Sequence, residues 1–259
     1  MSGFLFSDIV FGPVKSRRLG VSLGINLLPT QKKVCNFNCI YCECGWNEKS
    51  MDKNIILPTR AELKEKLEIK LMELTNSNLH IDSITFAGNG EPSIHPEFSE
   101  IVDDIIFLRN KYFPSAKTTL LSNAGLLNKD EIMQSILKLD NNILKLDCGT
   151  DKMFHLINRC SDTIKLSEIV NNLKRFNGNL IIQTLFLRGK YLDEVIDNTS
   201  EVELKLWIEH IKEIKPQYVM IYPIDRATPA QGLEKITKTE LEVIAEKLRL
   251  NGIESKVYE

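Results

Sequence analysis

Hydrophobic and polar positions follow two alternating patterns along most of this chain. Short, nearly continuous apolar runs occupy 81–87, 118–121, 143–147, 180–187 and 218–224, with another at 21–28. Between them lie longer stretches whose apolar residues recur at helical spacing: 60–74, 97–111, 129–139, 166–176, 203–214 and 238–250. The runs are rich in Ile, Leu, Val and Phe and do not alternate with polar residues, as expected of strands buried on both faces of a parallel sheet. Thr59 with Glu62, Asn128 with Glu131, and Thr237 with Glu240 each have the form of a capping box, which marks a helix start. The pattern predicts about six βα units and a last short strand at 255–258. Six are too few for a closed eight-stranded barrel, so the expected fold is α/β, a partial (β/α)6 barrel. Without repeats, low-complexity tracts or a linker, 1–259 reads as one domain: a lead-in over 1–19 and the barrel over 20–259.

Strand order also gives a test for function, because ligands of parallel barrels bind at the carboxyl ends of the strands. A loop carrying Cys35, Cys39 and Cys42 follows the run at 21–28. Gly88-Asn89-Gly90-Glu91-Pro92 follows 81–87, Ser122-Asn123 follows 118–121, and Asp147 ends 143–147. These four places are expected to converge on one face.

Composition narrows the picture. The 259 residues are 43% hydrophobic, enough for one sizeable core, and the net charge of -2 gives no global argument for nucleic acid. No apolar run reaches transmembrane length and the first residues lack a secretory pattern, so a cytoplasmic protein with no membrane contact is expected. Six cysteines are too few for a disulfide scaffold of this length, and His80, His95, His155 and His210 have no ligand spacing to one another.

Cys35, Cys39 and Cys42 form a C-x3-C-x2-C cluster. Three thiolates on one loop suit a 4Fe-4S cluster with one iron left open, and an open iron implies chemistry rather than scaffolding. With Cys44 added, four sulfurs lie within ten residues and a zinc site is a rival. Zinc ligands, however, usually come as two separated pairs. Free thiols are the third reading. Gly88-Asn89-Gly90-Glu91-Pro92 offers close backbone approach and one carboxylate for a cation such as an ammonium.

Cys35, Cys39, Tyr41 and Cys42 together resemble the cluster motif of the radical S-adenosylmethionine (SAM) superfamily, and Phe86-Ala87-Gly88-Asn89-Gly90-Glu91-Pro92 resembles its GGE motif. The entry Gly12-Pro13-Val14-Lys15-Ser16-Arg17-Arg18-Leu19-Gly20, with Ile157-Asn158-Arg159 and Tyr222-Pro223-Ile224-Asp225-Arg226, is similar to short radical SAM proteins related to wyosine-type tRNA-modifying enzymes. The resemblance runs from about Gly12 to the end. It implies a partial radical SAM barrel in which Cys35, Cys39 and Cys42 hold three irons of a 4Fe-4S cluster. SAM would chelate the fourth iron. Gly90 and Glu91 would hold its amino group, with Gly88 also in the SAM site, and Tyr41 would lie beside its adenine. Ser122 and Asn123 would face its ribose or carboxylate with Asp147 close by, and Arg159 would pair with its carboxylate. An electron donor such as flavodoxin or ferredoxin is implied, as is a hydrogen-bearing substrate, either a tRNA base or a peptide or protein. In this sequence Cys160 stands where relatives often have Pro, and Cys44 is extra.

The alternative from a different class is a non-catalytic zinc or iron–sulfur binding module, which would not require the glycine-rich turn. Cys44, Cys148 and Cys160 are one thiolate short of a second cubane, so no auxiliary cluster is expected. Arg17 and Arg18 clamp an anion at the barrel mouth or form a solvated basic turn. Arg226 and Asp225 follow the last long strand on the site face, where they meet substrate or each other. Gln183, in a strand interior, needs partners that are either ligand or backbone. Phe4 and Phe6 are expected to cover the barrel's open bottom or edge.

Overall fold

A near-continuous apolar run gains most when both faces of its strand are covered, and the computed structural model shows that arrangement. It describes residues 3–48 and 55–259; Met1 and Ser2 of the expected lead-in lie outside the described residues. Strand β1 (Val10–Ser16) runs antiparallel to β2 (Gly20–Ile25). From β2 the strands lie parallel in the order β3 (Ser83–Phe86), β4 (Lys117–Ser122), β5 (Asn141–Lys145), β6 (Ile181–Tyr191), β8 (Val219–Pro223) and β10 (Ser255–Val257). Two short strands, β7 (Glu194–Asp197) and β9 (Leu233–Lys235), pair antiparallel with the end of β6. The resulting ten-stranded sheet curls without closing: β1 and β10 are its two free edges. This is the expected partial barrel.

Helices α1 (Arg60–Asn76), α2 (Phe98–Tyr112), α3 (Asp130–Leu137), α4 (Asp151–Asn158), α5 (Leu166–Lys174), α6 (Glu201–Ile214) and α7 (Lys238–Leu250) cover the outside. Alternation across the pleat divides each strand between two environments. Leu23, Ile84, Leu120, Leu144 and Ile182 point outward and join helical residues such as Leu67, Ile105 and Trp207 in the main core. Ile143, Ile181 and Met220 point inward and form a separate apolar cluster. Beside it, Ser22, Thr85, Ser83 and Thr119 link their hydroxyls at 2.8–2.9 Å, so the polar groups inside the barrel satisfy one another.

Three elements depart from the expectations. The supposed lead-in contains β1, which extends the sheet. Helix α4 is not among the stretches expected from helical spacing; its N-cap Thr150 accepts from the Met153 amide, but no Glu or Gln stands at the third position to complete a capping box. The hairpin at the end of β6 turns through Leu192 and Asp193 with φ of 49° and 64°, a two-residue turn made without the Asn-Gly or Asp-Gly pair that usually announces one. The expected box at Asn128 is also absent: α3 starts after Lys129 with no side-chain cap.

The box at Thr237 is complete, each side chain bonding the other's backbone amide. Thr237→Ala is expected to cost about 1 kcal/mol. Thermal unfolding should record that loss, and faster amide exchange in the first turn of α7 should localise it.

Candidate functional site

The loop after β2 is held in place by the turn after β3. Val34 and Gly90 pair as an isolated parallel bridge: the Val34 amide donates to the Asn89 carbonyl at 2.9 Å, and the Glu91 amide to the Val34 carbonyl at 3.1 Å. Gly90 has φ of 140°, and a Cβ there would lie 1.8 Å from the Val34 oxygen, so no larger residue fits the pairing. Two fully buried asparagines fix the rest. Asn26 accepts from the Leu28 and Asn89 amides and donates to the Leu28 carbonyl. Asn89 donates to the carbonyls of Phe6 and Pro29 and accepts from the Phe6 amide.

This scaffold presents Cys35, Cys39, Cys42 and Cys44 to a cavity of about 220 Å³, whose walls also include Gly88, Gly90, Glu91, Ser122, Asn123 and Tyr41. Among the described residues, no three Cys, His, Asp or Glu side chains close on one ion-sized point. Donors face the sulfurs. The Phe37 amide and Asn123 Nδ2 each lie 3.4 Å from Cys35 Sγ, and Lys145 Nζ lies 3.0 Å from Cys39 Sγ. Lys145 is only 9% exposed and also pairs with Asp147 at 3.2 Å. Lys33 is 5% exposed; its ammonium donates to the Gly45 carbonyl at 2.9 Å and also stands against Cys42, where it favours the thiolate. Burial pushes the Cys35 thiol up to about 12, with the neighbouring Cys39 and Glu91 adding to it. Cys42 is held down to about 5, chiefly by a hydrogen bond from Cys44 and secondarily by Lys33; the same bond raises Cys44.

Glu91 is 2% exposed. Its Oε1 accepts from the Ser93 amide and hydroxyl and from the Ser122 hydroxyl, and its Oε2 accepts from the Asn123 amide at 2.7 Å. Burial raises its pKa, and these donors oppose the shift. Tyr41 donates to Asp147 Oδ2 at 2.5 Å; burial, and then that carboxylate, push the phenol well above its ordinary value. Asp147 Oδ1 accepts from the Leu185 amide, which ties the chain just beyond β5 to the middle of β6.

Most of the expected site residues therefore meet at one face. Arg159 stands apart: it caps α4 in the left-handed region, φ 46°, and its guanidinium lies between the rings of Trp46 and Tyr191, outside the thiol cavity. Of the two places expected for Phe4 and Phe6, the structure shows the edge: Phe6 stacks on Phe11 of the edge strand β1, with ring centres 3.7 Å apart. The Phe4 amide bonds the Glu43 carbonyl and Phe6 bonds Asn89, so this segment straps the cysteine loop. Lys33 and Lys145 were missed from the sequence, where each reads as an ordinary lysine; Lys145 carries one signal, its inward register two residues before Asp147.

Comparison with known proteins decides the family. The Radical SAM superfamily profile matches residues 32–202. The chain belongs to the radical SAM superfamily. A UPF0026 protein of Helicobacter pylori strain J99 is 31% identical over 242 residues, covering 90% of this chain and 71% of its own. A protein named GTPase Obg of Brachyspira hyodysenteriae is 32% identical over 237 residues, 90% of this chain, which spans only 32% of that protein's length. Among solved structures, a radical SAM methyltransferase from Sphaerobacter thermophilus superposes with a TM-score of 0.66 at 14% identity, covering 92% of this chain and 65% of its own. The structure of TYW1 with a lysine-pyruvate adduct gives 0.63 at 16%, covering 89% and 73%.

Radical SAM proteins use a 4Fe-4S cluster and SAM, and the residues present fit that pair. The donor set is soft thiol, and two buried ammonium groups stand beside it, Lys33 against Cys42 and Lys145 against Cys39, where they would offset the charge of cluster thiolates. No described helix is long and apolar enough to cross a membrane. Asn89→Ala would leave buried partners unpaired on two segments and is expected to destabilise the chain by about 2 kcal/mol or more. Faster exchange at the Phe6 amide would show the strap released.

Proposed function

We propose that this chain is a radical SAM enzyme that cleaves SAM reductively and abstracts hydrogen from a substrate. The observation that carries the reading is the convergence of three thiols and the buried Glu91 on one cavity at the carboxyl ends of the strands. Cys35, Cys39 and Cys42 would hold three irons. The cluster held there would supply one-electron reductive cleavage of SAM, with the electron from a flavodoxin- or ferredoxin-class donor, giving methionine and a 5′-deoxyadenosyl radical for hydrogen abstraction from carbon.

The chain's own part is binding, orientation and exclusion of water. Glu91, set rigidly by four donors, presents its remaining acceptor capacity to the amino group of SAM, with Gly88 and Gly90 allowing close approach. Tyr41, fixed by Asp147, offers a ring edge to the adenine. Ser122 and Asn123 stand where the ribose or carboxylate would lie, and Lys145, already inside the cavity wall, is better placed than Arg159 to meet a carboxylate. Substrates of the tRNA-base and peptide or protein classes both remain within this reading. The GTPase name of one relative is not carried over, because the chain has no G-x-x-x-x-G-K-[ST] run.

Anaerobic reconstitution should give about four irons per chain, and dithionite should then release methionine and 5′-deoxyadenosine from SAM. Cys39→Ala should abolish both. Stoichiometric colourless zinc that resists replacement by iron would sink the assignment in favour of a non-catalytic module. Glu91→Gln should retain iron but weaken SAM roughly 10- to 100-fold, because it removes the charge facing the ammonium; equilibrium binding of SAM to the oxidised protein measures this.

A further inference from the structure

We propose that Arg18, at the gap between the two edges of the barrel, anchors an anionic group of the substrate, a phosphate or a carboxylate. The proposal deepens the radical reading of the same site and rests on it for the reaction that follows, though not for binding of the anion.

Side chains bridge the gap where the sheet does not. On the β1–β2 turn, Arg17 Nη2 pairs with Asp225 Oδ2 beyond β8 at 2.6 Å. Arg226, also beyond β8, pairs with Glu43 of the cysteine loop at 2.7 Å. Behind these pairs is a cavity of about 280 Å³, near the small end for a ligand pocket. Tyr41, Cys42, Cys44 and Tyr222 line both this cavity and the thiol cavity, so the two share a wall at the proposed cluster. A molecule held in the first would face the second.

The charges around this cavity do not balance. Three arginines and two carboxylates line it, and both carboxylates are already used by Arg17 and Arg226. Arg18 has no carboxylate partner among the described residues. Its Nη1 donates to Gln183 Oε1 at 3.3 Å, and its guanidinium lies 4.9 Å from the centre of the Tyr222 ring. Gln183 also accepts from the Tyr222 hydroxyl at 3.4 Å. A half-buried guanidinium is thus positioned by two neutral groups, with most of its five donors uncommitted. That arrangement suits a planar or tetrahedral oxyanion taken in a fork. The two flanking ion pairs are exposed, and such pairs contribute little. They can part for a substrate at small cost.

The test uses reconstituted protein, with inorganic phosphate and acetate as probes in separate calorimetric titrations. At least one should bind the wild type, and the tighter of the two identifies the class of anion. Arg18→Gln should weaken that probe about tenfold or more, and Arg18→Lys should weaken it less. Asp225→Asn, which frees Arg17 from its partner, should tighten it a few-fold, an effect that disruption of the fold would not produce. In dithionite-reduced protein, the ³¹P or ¹³C resonance of the bound probe should broaden relative to the oxidised protein. Failure of both probes to bind, or equal binding by the wild type and Arg18→Gln, overturns the anchor. An absent reduced-cluster EPR signal with Arg18-dependent binding intact would instead overturn the radical reading and leave the anchor standing.

Discussion

The backbone pairing of Val34 with Gly90 is the contact on which the site depends. It joins two loops that leave neighbouring parallel strands, and it forms only because position 90 has no side chain. Without it, Cys35 would not be held beside Glu91, and the face where four strand ends converge would be a set of independent loops. The asparagines at 26 and 89 do the same work by a different route. Each replaces backbone partners that irregular segments lack, which is how a long loop can be buried at all. Rigidity here is thus built from hydrogen bonds to main chain, and the cysteines follow from it.

The electrostatics follow a second logic. A cluster of thiols is costly to ionise in a buried place, as the upward shift of Cys35 shows. Lys33 and Lys145 are equally costly to bury unless an anion is near. Each group makes the other tolerable. Lys145 is shared between Cys39 and Asp147, and Asp147 in turn holds Tyr41, so the charge of the thiol wall and the position of the aromatic ring are coupled through one carboxylate.

Much of this was legible in the sequence because buried strands write themselves as apolar runs. All seven parallel strands were anticipated, although their ends moved by a few residues, as with 81–87 against Ser83–Phe86. The convergence of Cys35, Glu91, Ser122 and Asp147 was legible as well, since it needs only strand order. What was not legible depended on contacts distant in sequence. Strand β1 alternates weakly and contains Pro13, so nothing local marked it. Arg159 follows a helix, and its direction is decided by Trp46 and Tyr191, which no spacing brings together. Lys33 and Lys145 are ordinary by residue type and unusual only by burial.

The strap formed by residues 3–6 has a practical meaning. Gly3 lies so near the cysteine loop that a Cβ on it would sit 2.2 Å from the Cys44 carbonyl carbon. Anything joined ahead of it, such as an affinity tag, emerges beside the cysteine loop and competes for the space against Cys44 and Gly45. The residues after β10 are engaged as well: Tyr258 lines the cavity beside Arg18, and Glu259 pairs with Lys238 at 2.6 Å.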